Sequence, residues 1–519
     1  MKKFTVISLA ALLILAFGAT AFAAEAVKLE FRASGSIDAQ THYSKNVPPL
    51  NAAATPIYNS IPADYRAFDP VSGSPTNATN HKVSYWDSRM SLRFDAVMGK
   101  ELSGTLQFEI DSTRWGNAQG GARPGTNAHA VGTWSTDQAA VEVKYMYFDV
   151  GLPYFGLPFP INVRAGAQPL AIRPWFFQAT DGMGISGGIK IDPVNLNPFY
   201  FKPAEGVDWD SDDVEIWGLQ ANAKLGTFTI GGYGEWVDAK NYPIGPQPYG
   251  VAPPIPYVKG INNADFYWFG LYADGKAGPV NIQFDAAYDW GKVKQDNGLL
   301  ITARNVTYSG YAARLKVNFP WERFDFGATG MYASGSDAEK TSSTGLPGTA
   351  TDLGTQSHRV SGWMVPPGSE NGAANGESAV FYGMEPGASG GQGFAANHNY
   401  ASTSKGAFGG SWFFKLFGSY KVTPWYKVTM QGLYIGDTTK NGNTYGNARD
   451  ALGFLKDKDT IGIELDMINE FEIYKNLTFK VFGGYLWAGT AMDLQNTTTG
   501  ATFSMHNPWA IRTRLLYSF

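Results

Sequence analysis

Apolar and polar residues alternate one by one over long stretches of this chain, most clearly at its end. Trp509, Ile511, Thr513, Leu515, Tyr517 and Phe519 fall on one face of an extended segment; Ala510, Arg512, Arg514, Leu516 and Ser518 fall on the other. Successive strand side chains point to opposite sides, so this segment is apolar on one side and charged on the other. The same period opens the chain, where Val27, Leu29, Phe31, Ala33, Ile37, Ala39 and Tyr43 oppose Lys28, Glu30, Arg32, Ser34, Asp38, Gln40 and His42. Between the ends, alternating segments come in pairs joined by short turns. Residues 90–98 turn into 102–111, and 141–147, with Val141, Val143, Tyr145 and Tyr147 on one face, turn into 161–165. Five more pairs follow: 217–225 with 228–236, 269–273 with 280–290, 311–319 with 324–332, 412–422 with 428–434, and 461–467 with 479–487.

That pattern predicts sixteen clear strands, and two weaker ones at 184–191 and 199–202 raise the total to eighteen. The other connections are long and polar: 44–82, 115–137, 238–263, 335–410 and 437–458. Short turns on one side, long loops on the other and aromatics near the turns are the pattern of a sheet that crosses a membrane. In hydrocarbon such a sheet must close, because an open edge leaves backbone groups unpaired. The expected fold is therefore all-β: a transmembrane antiparallel barrel of about 18 strands, with 16 as the alternative. An even number places both chain ends on the short-turn, periplasmic side.

The front of the chain agrees. Met1-Lys2-Lys3, an apolar stretch from Phe4 to Gly18 and Ala21-Phe22-Ala23 make a secretory signal peptide over 1–23, leaving 24–519 as one barrel domain with long loops at 44–82 and 335–410. Losing Lys2 and Lys3 takes the formal net charge from −4 to −6. The absence of cysteine excludes a lipoprotein anchor, disulfides, a thiolate metal site and covalent c-type haem. After the leader no apolar run is long enough for a membrane helix, and mild acidity gives no reason to expect nucleic acid.

Barrels of about sixteen to eighteen strands leave an aqueous channel. Charges on the polar faces would line it: Arg32, Arg93, Asp95, Glu109, Asp111, Arg164, Arg314, Arg512 and Arg514. Rings of charge set ion selectivity. Arg512 and Arg514 would close against the first strand and, with Lys28, Arg32 and Arg93, form a basic ladder. The ending Trp509, Ile511, Leu515, Tyr517, Phe519 resembles the C-terminal signal read by the outer-membrane barrel-assembly machinery. The mature chain as a whole resembles Gram-negative general-diffusion porins, in texture those of anaerobic environmental bacteria. The resemblance implies an outer-membrane channel for small hydrophilic solutes and ions, embedded among lipid and lipopolysaccharide, and a homotrimer. It also implies a third extracellular loop folded inward. By strand order that loop is 171–182, with Arg173, Trp175, Phe176, Phe177 and Asp181, although the acidic Pro-Glu-Phe-Gly-Gly motif of enteric porins is missing. The loop at 335–410 is an alternative plug, with a solvated surface loop the commoner outcome for its kind.

Catalytic signals are weak. Gly184-Ile185-Ser186-Gly187-Gly188 matches G-x-S-x-G, but the sequence after it reads as strand where a nucleophile elbow needs a helix. The six histidines are scattered, and Asp208, Asp210, Asp212 and Asp213 are out of register with a calcium loop. No enzyme activity, cofactor or metal is expected. Beside free diffusion, a substrate-selective channel and a conduit housing a partner protein stay open.

Overall fold

The structure, a computed structural model, describes residues 29–46, 82–112, 140–152, 158–174, 176–204, 213–242, 262–295, 306–337, 359–366, 377–383, 408–446, 448–495 and 501–519. The predicted signal peptide and much of the loops at 44–82 and 335–410 lie outside them.

Eighteen long strands make one sheet in which every strand pairs antiparallel with its sequence neighbours. They are β1 (Leu29–Lys45), β2 (Lys82–Met98), β3 (Leu102–Ser112), β4 (Ala140–Leu152), β5 (Ile161–Ile172), β6 (Gln178–Ile191), β7 (Val194–Ala204), β8 (Val214–Leu225) and β9 (Phe228–Tyr242). The second half runs β10 (Asn262–Ala277), β11 (Val280–Gln295), β12 (Val306–Trp321), β13 (Phe324–Ala333), β14 (Ser411–Thr423), β15 (Tyr426–Asp437), β16 (Thr460–Tyr474), β17 (Leu477–Ala488) and β18 (Trp509–Ser518). β18 pairs with β1 from Ser36↔Ser518 to Lys45↔Trp509, so the sheet closes and no edge is left. The two weak segments of the sequence are the full-length strands β6 and β7, which settles the number at eighteen.

The outer face is apolar and open: Phe31, Phe94, Leu219, Leu271, Leu416, Met430 and Leu465 are all exposed. Exposed apolar surface around a whole barrel is stable only against hydrocarbon. Aromatics gather at its rims. Trp425, Tyr426 and Phe471 stack beside the β14–β15 turn, and Trp236, Tyr267 and Trp290 stack toward the long-loop side.

The closing seam depends on one glycine. The Phe519 N–H donates to the Gly35 carbonyl at 3.0 Å and the Gly35 N–H to the Phe519 carbonyl at 2.8 Å. A Cβ on Gly35 would meet the Ser91 carbonyl oxygen at 2.3 Å and the Phe519 ring at 2.8 Å. Gly35→Val should therefore cost about 1–3 kcal/mol by overpacking and lower the temperature at which the barrel loses its heat-modifiable gel mobility. Gly104→Val is the control, since nothing stands within 4 Å of that Cβ position.

One face assignment from the sequence is reversed. A bulge between β3 and β4, where Gln107 pairs with Tyr145 but Phe108 with Val143, shifts the period by one residue. Val141 and Val143 stay exposed outside, whereas Tyr147 is buried inside and Tyr145 beside it is half-buried.

Candidate functional site: the lumen

Polar residues line the inner wall, but much of the lumen is filled. Two segments enter it from the long-loop side. The first is the tip of the β5–β6 hairpin, a tight turn in which the Phe176 and Phe177 N–H groups both donate to the Arg173 carbonyl at 2.8 Å. From there the Arg173 side chain reaches β10 and β11, pairing with Asp274 and Asp285, with its guanidinium 4.5 Å from the Tyr272 ring. Burial alone would lower the Arg173 pKa, but the two carboxylates outweigh it and raise it above its ordinary value. Phe177 packs on Tyr233 at 4.5 Å, and Phe176 on Trp363 at 6.0 Å.

The second segment belongs to the long β13–β14 connection. Arg359 and Val360 pair in parallel with Thr307 and Tyr308 on β12. Trp363, Met364 and Val365 then lie fully buried, with Trp268 Nε1 donating to the Met364 carbonyl at 2.9 Å. Further along, residues 377–383 are buried against β12 to β16. Glu377 accepts from Arg314 at 2.5 Å and from Lys415 at 2.5 Å. On the wall, Glu464 accepts the N–H groups of Val380 at 2.6 Å and Phe381 at 3.0 Å, and Asp466 accepts that of Ala379 at 3.1 Å. Burial pushes the Glu377 carboxyl up, but Lys415 and Arg314 outweigh burial and hold it at about 2. The surface loop expected as the commoner outcome for 335–410 is therefore corrected in its described parts: they fold inward and pair with the wall.

The two segments share one relay. Asp285, 1% exposed, binds Arg173 on one side and stands 4.0 Å from Arg314, which holds Glu377, on the other. A charged belt thus runs along β10 to β16 beneath a packed apolar layer of Phe199, Phe201, Val237, Phe266, Trp268 and Phe381.

The opposite wall is different. Arg93 binds Asp95 at 2.9 Å, Arg164 binds Asp149 at 2.7 Å, and both guanidiniums face the Tyr147 ring. Their side chains keep 37% and 34% exposure, so this cluster is open to solvent. Glu109 lies 3.1 Å from Arg89 and 3.6 Å from Lys144, and Lys144 lies 2.8 Å from Asp181. Arg32 pairs with Glu30 at 3.0 Å near the short-turn rim. Arg514 pairs with Asp38 at 2.9 Å, while Arg512 is buried and donates to Gln40. Each exposed arginine on this wall has an acid beside it, so the expected basic ladder is a mixed ladder. The side chain of Asp111, and all of Trp175, lie outside the described residues. Residues that the sequence did not single out include Lys144, Lys415, Glu377, Asp274 and Asp149. The bulge brings in Lys144 and Asp149, and the inward segments bring in the rest.

On the outer face of β18, Ile511, Leu515, Tyr517 and Phe519 stay exposed and Trp509 is half-buried. The G-x-S-x-G stretch lies inside β6, where the Ser186 hydroxyl donates to Gln168 Oε1 at 2.7 Å, and no elbow forms. Among the described residues no group of three or more His, Asp or Glu is placed to hold a metal. Of the acidic cluster, Asp208, Asp210 and Asp212 lie outside the described residues; Asp213 pairs with Lys202 at 3.1 Å.

An apolar exterior, a charged interior and a closed sheet of eighteen strands define a transmembrane β-barrel. No protein-family model matches the chain, and no curated protein matches it significantly. Among solved structures, OccK11 (OpdR) of Pseudomonas aeruginosa aligns at TM-score 0.47 and 9% identity, over 96% of this chain and 99% of that one. A BenF-like porin from Pseudomonas fluorescens Pf-5 aligns at 0.48 and 11%, over 94% and 98%. OccAB3 of Acinetobacter baumannii aligns at 0.46 and 8%, over 94% and 99%. These are likenesses of outline, and no ligand or residue role is transferred from them.

Proposed function

We propose that this chain is an outer-membrane porin, a passive channel for small hydrophilic solutes and ions of the general-diffusion type. The observation that carries the reading is a closed barrel of eighteen strands whose inner wall keeps solvent-open ion pairs around Arg93 and Arg164. Arg32, Arg93, Asp95, Glu109, Asp111, Arg164, Arg173, Asp181, Arg314, Arg512 and Arg514 line or brace the passage. The C-terminal Trp509, Ile511, Leu515, Tyr517 and Phe519 are the signal for the assembly machinery, after export by the leader at 1–23. The barrel sits among lipid and lipopolysaccharide as a homotrimer.

A second reading, a substrate-selective channel, is favoured by the two inward segments that narrow the lumen to one side. Liposome swelling separates the two. Uptake graded only by solute size supports general diffusion, and saturable uptake of one chemical class supports selectivity. Arg514→Gln gives a further check: freeing Asp38 of its cation should shift the reversal potential under a salt gradient toward cation preference. An unchanged reversal potential removes this wall from the conduction path.

A further inference from the structure

Around Glu377 the inner wall carries more positive charge than that one carboxylate answers. Arg314, Lys316 and Lys415 stand together there on β12 and β14. Glu377 accepts from Arg314 and from Lys415, each at 2.5 Å. Lys316 is half-buried, and among the described residues no carboxylate pairs with it. The other acids nearby are already engaged. Asp285 holds Arg173, and Glu464 and Asp466 accept the N–H groups of Ala379, Val380 and Phe381. Asp325 accepts from Asn318 at 2.8 Å.

Register brings this cluster together. Lys316 pairs with Thr329 across β12 and β13, and Thr329 with Lys415 across β13 and β14. The three side chains therefore share one row of the inner face, with Thr329 in the middle. Phe417 lies in the next row toward the short turns. A Cβ on Gly327 would meet its ring at 2.2 Å, so the ring lies across β13 toward β12. Lys316 Nζ stands 5.4 Å and Lys415 Nζ 5.9 Å from the centre of that ring.

Thr329 gives the sharper sign. It is 0% exposed, and its hydroxyl has no hydrogen-bond partner among the described residues. Buried polar groups nearly always have one. Ammonium groups only donate, so what the hydroxyl and Lys316 lack in common is an acceptor, and a negatively charged one satisfies both. Toward the short-turn side the wall beyond them is polar and half-buried, at Asn318, Asp325 and Ser419.

We propose that Lys316, Thr329 and Lys415 form a binding site for a small oxyanion, a carboxylate or a tetrahedral inorganic anion, reached from the short-turn side. Lys316 and the Thr329 hydroxyl donate to it, Phe417 forms its apolar floor, and it shares Lys415 with Glu377. The inference rests on the substrate-selective reading for its role in transport, to which it gives a chemical class, while its chemistry is tested by binding alone.

Titration calorimetry on the purified, heat-modifiable full chain in detergent takes sodium sulfate and sodium acetate as separate probes. The site predicts saturable heat with one anion bound per chain. Lys316→Met should weaken binding by about tenfold and Thr329→Val by about threefold, for the loss of one charged and one neutral hydrogen bond. Lys316→Arg, which keeps the charge, should retain binding, so that a loss in Lys316→Met is not a failure to fold. Lys276→Gln, at an exposed lysine of the short-turn rim, should leave binding unchanged. Tighter acetate marks a carboxylate solute as the ligand and tighter sulfate an inorganic one, and either supports the site. Binding that is absent, that survives Lys316→Met, or that falls as far in Lys276→Gln overturns it. Anion binding as predicted, beside liposome uptake graded only by solute size, would overturn the selective reading instead and leave the site standing.

Discussion

Replacing Glu377 with alanine should release the inner segment of the β13–β14 connection and raise single-channel conductance. Glu377 is buried and joined to two buried cations, Arg314 and Lys415, and its carbonyl also accepts from Lys415 and Gln431 at 3.1 Å. Removing one member of a buried charged network leaves the others unpaired, at about 3–5 kcal/mol. The barrel has eighteen ladders to hold it, whereas the 377–383 segment is held by this network and by the N–H bonds to Glu464 and Asp466. The loss should thus fall on the segment and not on the wall, giving larger steps from a barrel that still migrates as folded. Acid should act the same way, but late. The Glu377 carboxyl is held at about 2, below the ordinary carboxylate value of about 4.3. Its contribution is complete above the ordinary value and is lost as pH falls through about 2. Wild-type conductance should therefore hold from neutral pH down to about 3 and rise only near 2. A rise centred near pH 4 to 5 would show that Glu377 is not held by its cations.

The second large effect is expected from Arg173→Ala. Arg173 is the hairpin tip's link across the lumen, and its loss uncovers Asp274 and deprives the buried Asp285 of its close cation. Conductance should rise and selectivity should move toward cations, because two carboxylates lose their partner. Asp285 also faces Arg314, so the two inward segments are coupled. Arg173→Ala and Glu377→Ala together should then raise conductance by other than the product of their separate factors, as expected of residues in one network. Conductance unchanged in Arg173→Ala would place the hairpin tip outside the conduction path.

The wall was legible in the sequence and its contents were not. Period-two alternation is a local signal, and it placed the strands, the short turns and the outward face of β18. It misled at β4, where one bulged residue, Lys144, reverses the faces of Tyr145 and Tyr147. The filled lumen left a different trace. Runs such as Phe266-Tyr267-Trp268-Phe269 and Trp412-Phe413-Phe414 are apolar on both faces, which means both faces are covered. Phe266, Trp268 and Phe413 are buried inside the barrel, while Phe269 and Phe414 face outward. Reading such runs only for their outward half hides the plug. The partners of Glu377 and Arg173 were out of reach for another reason: they join segments 38 to 112 residues apart in sequence through contacts that no local period encodes.

Single-channel conductance in planar bilayers, wild type beside Glu377→Ala, tests the central claim most directly. The account predicts discrete ohmic steps from the wild-type barrel and larger ones from the variant. Folded, heat-modifiable wild-type protein that gives no steps, or a variant whose steps match the wild type, would contradict a channel narrowed by its own inward segments.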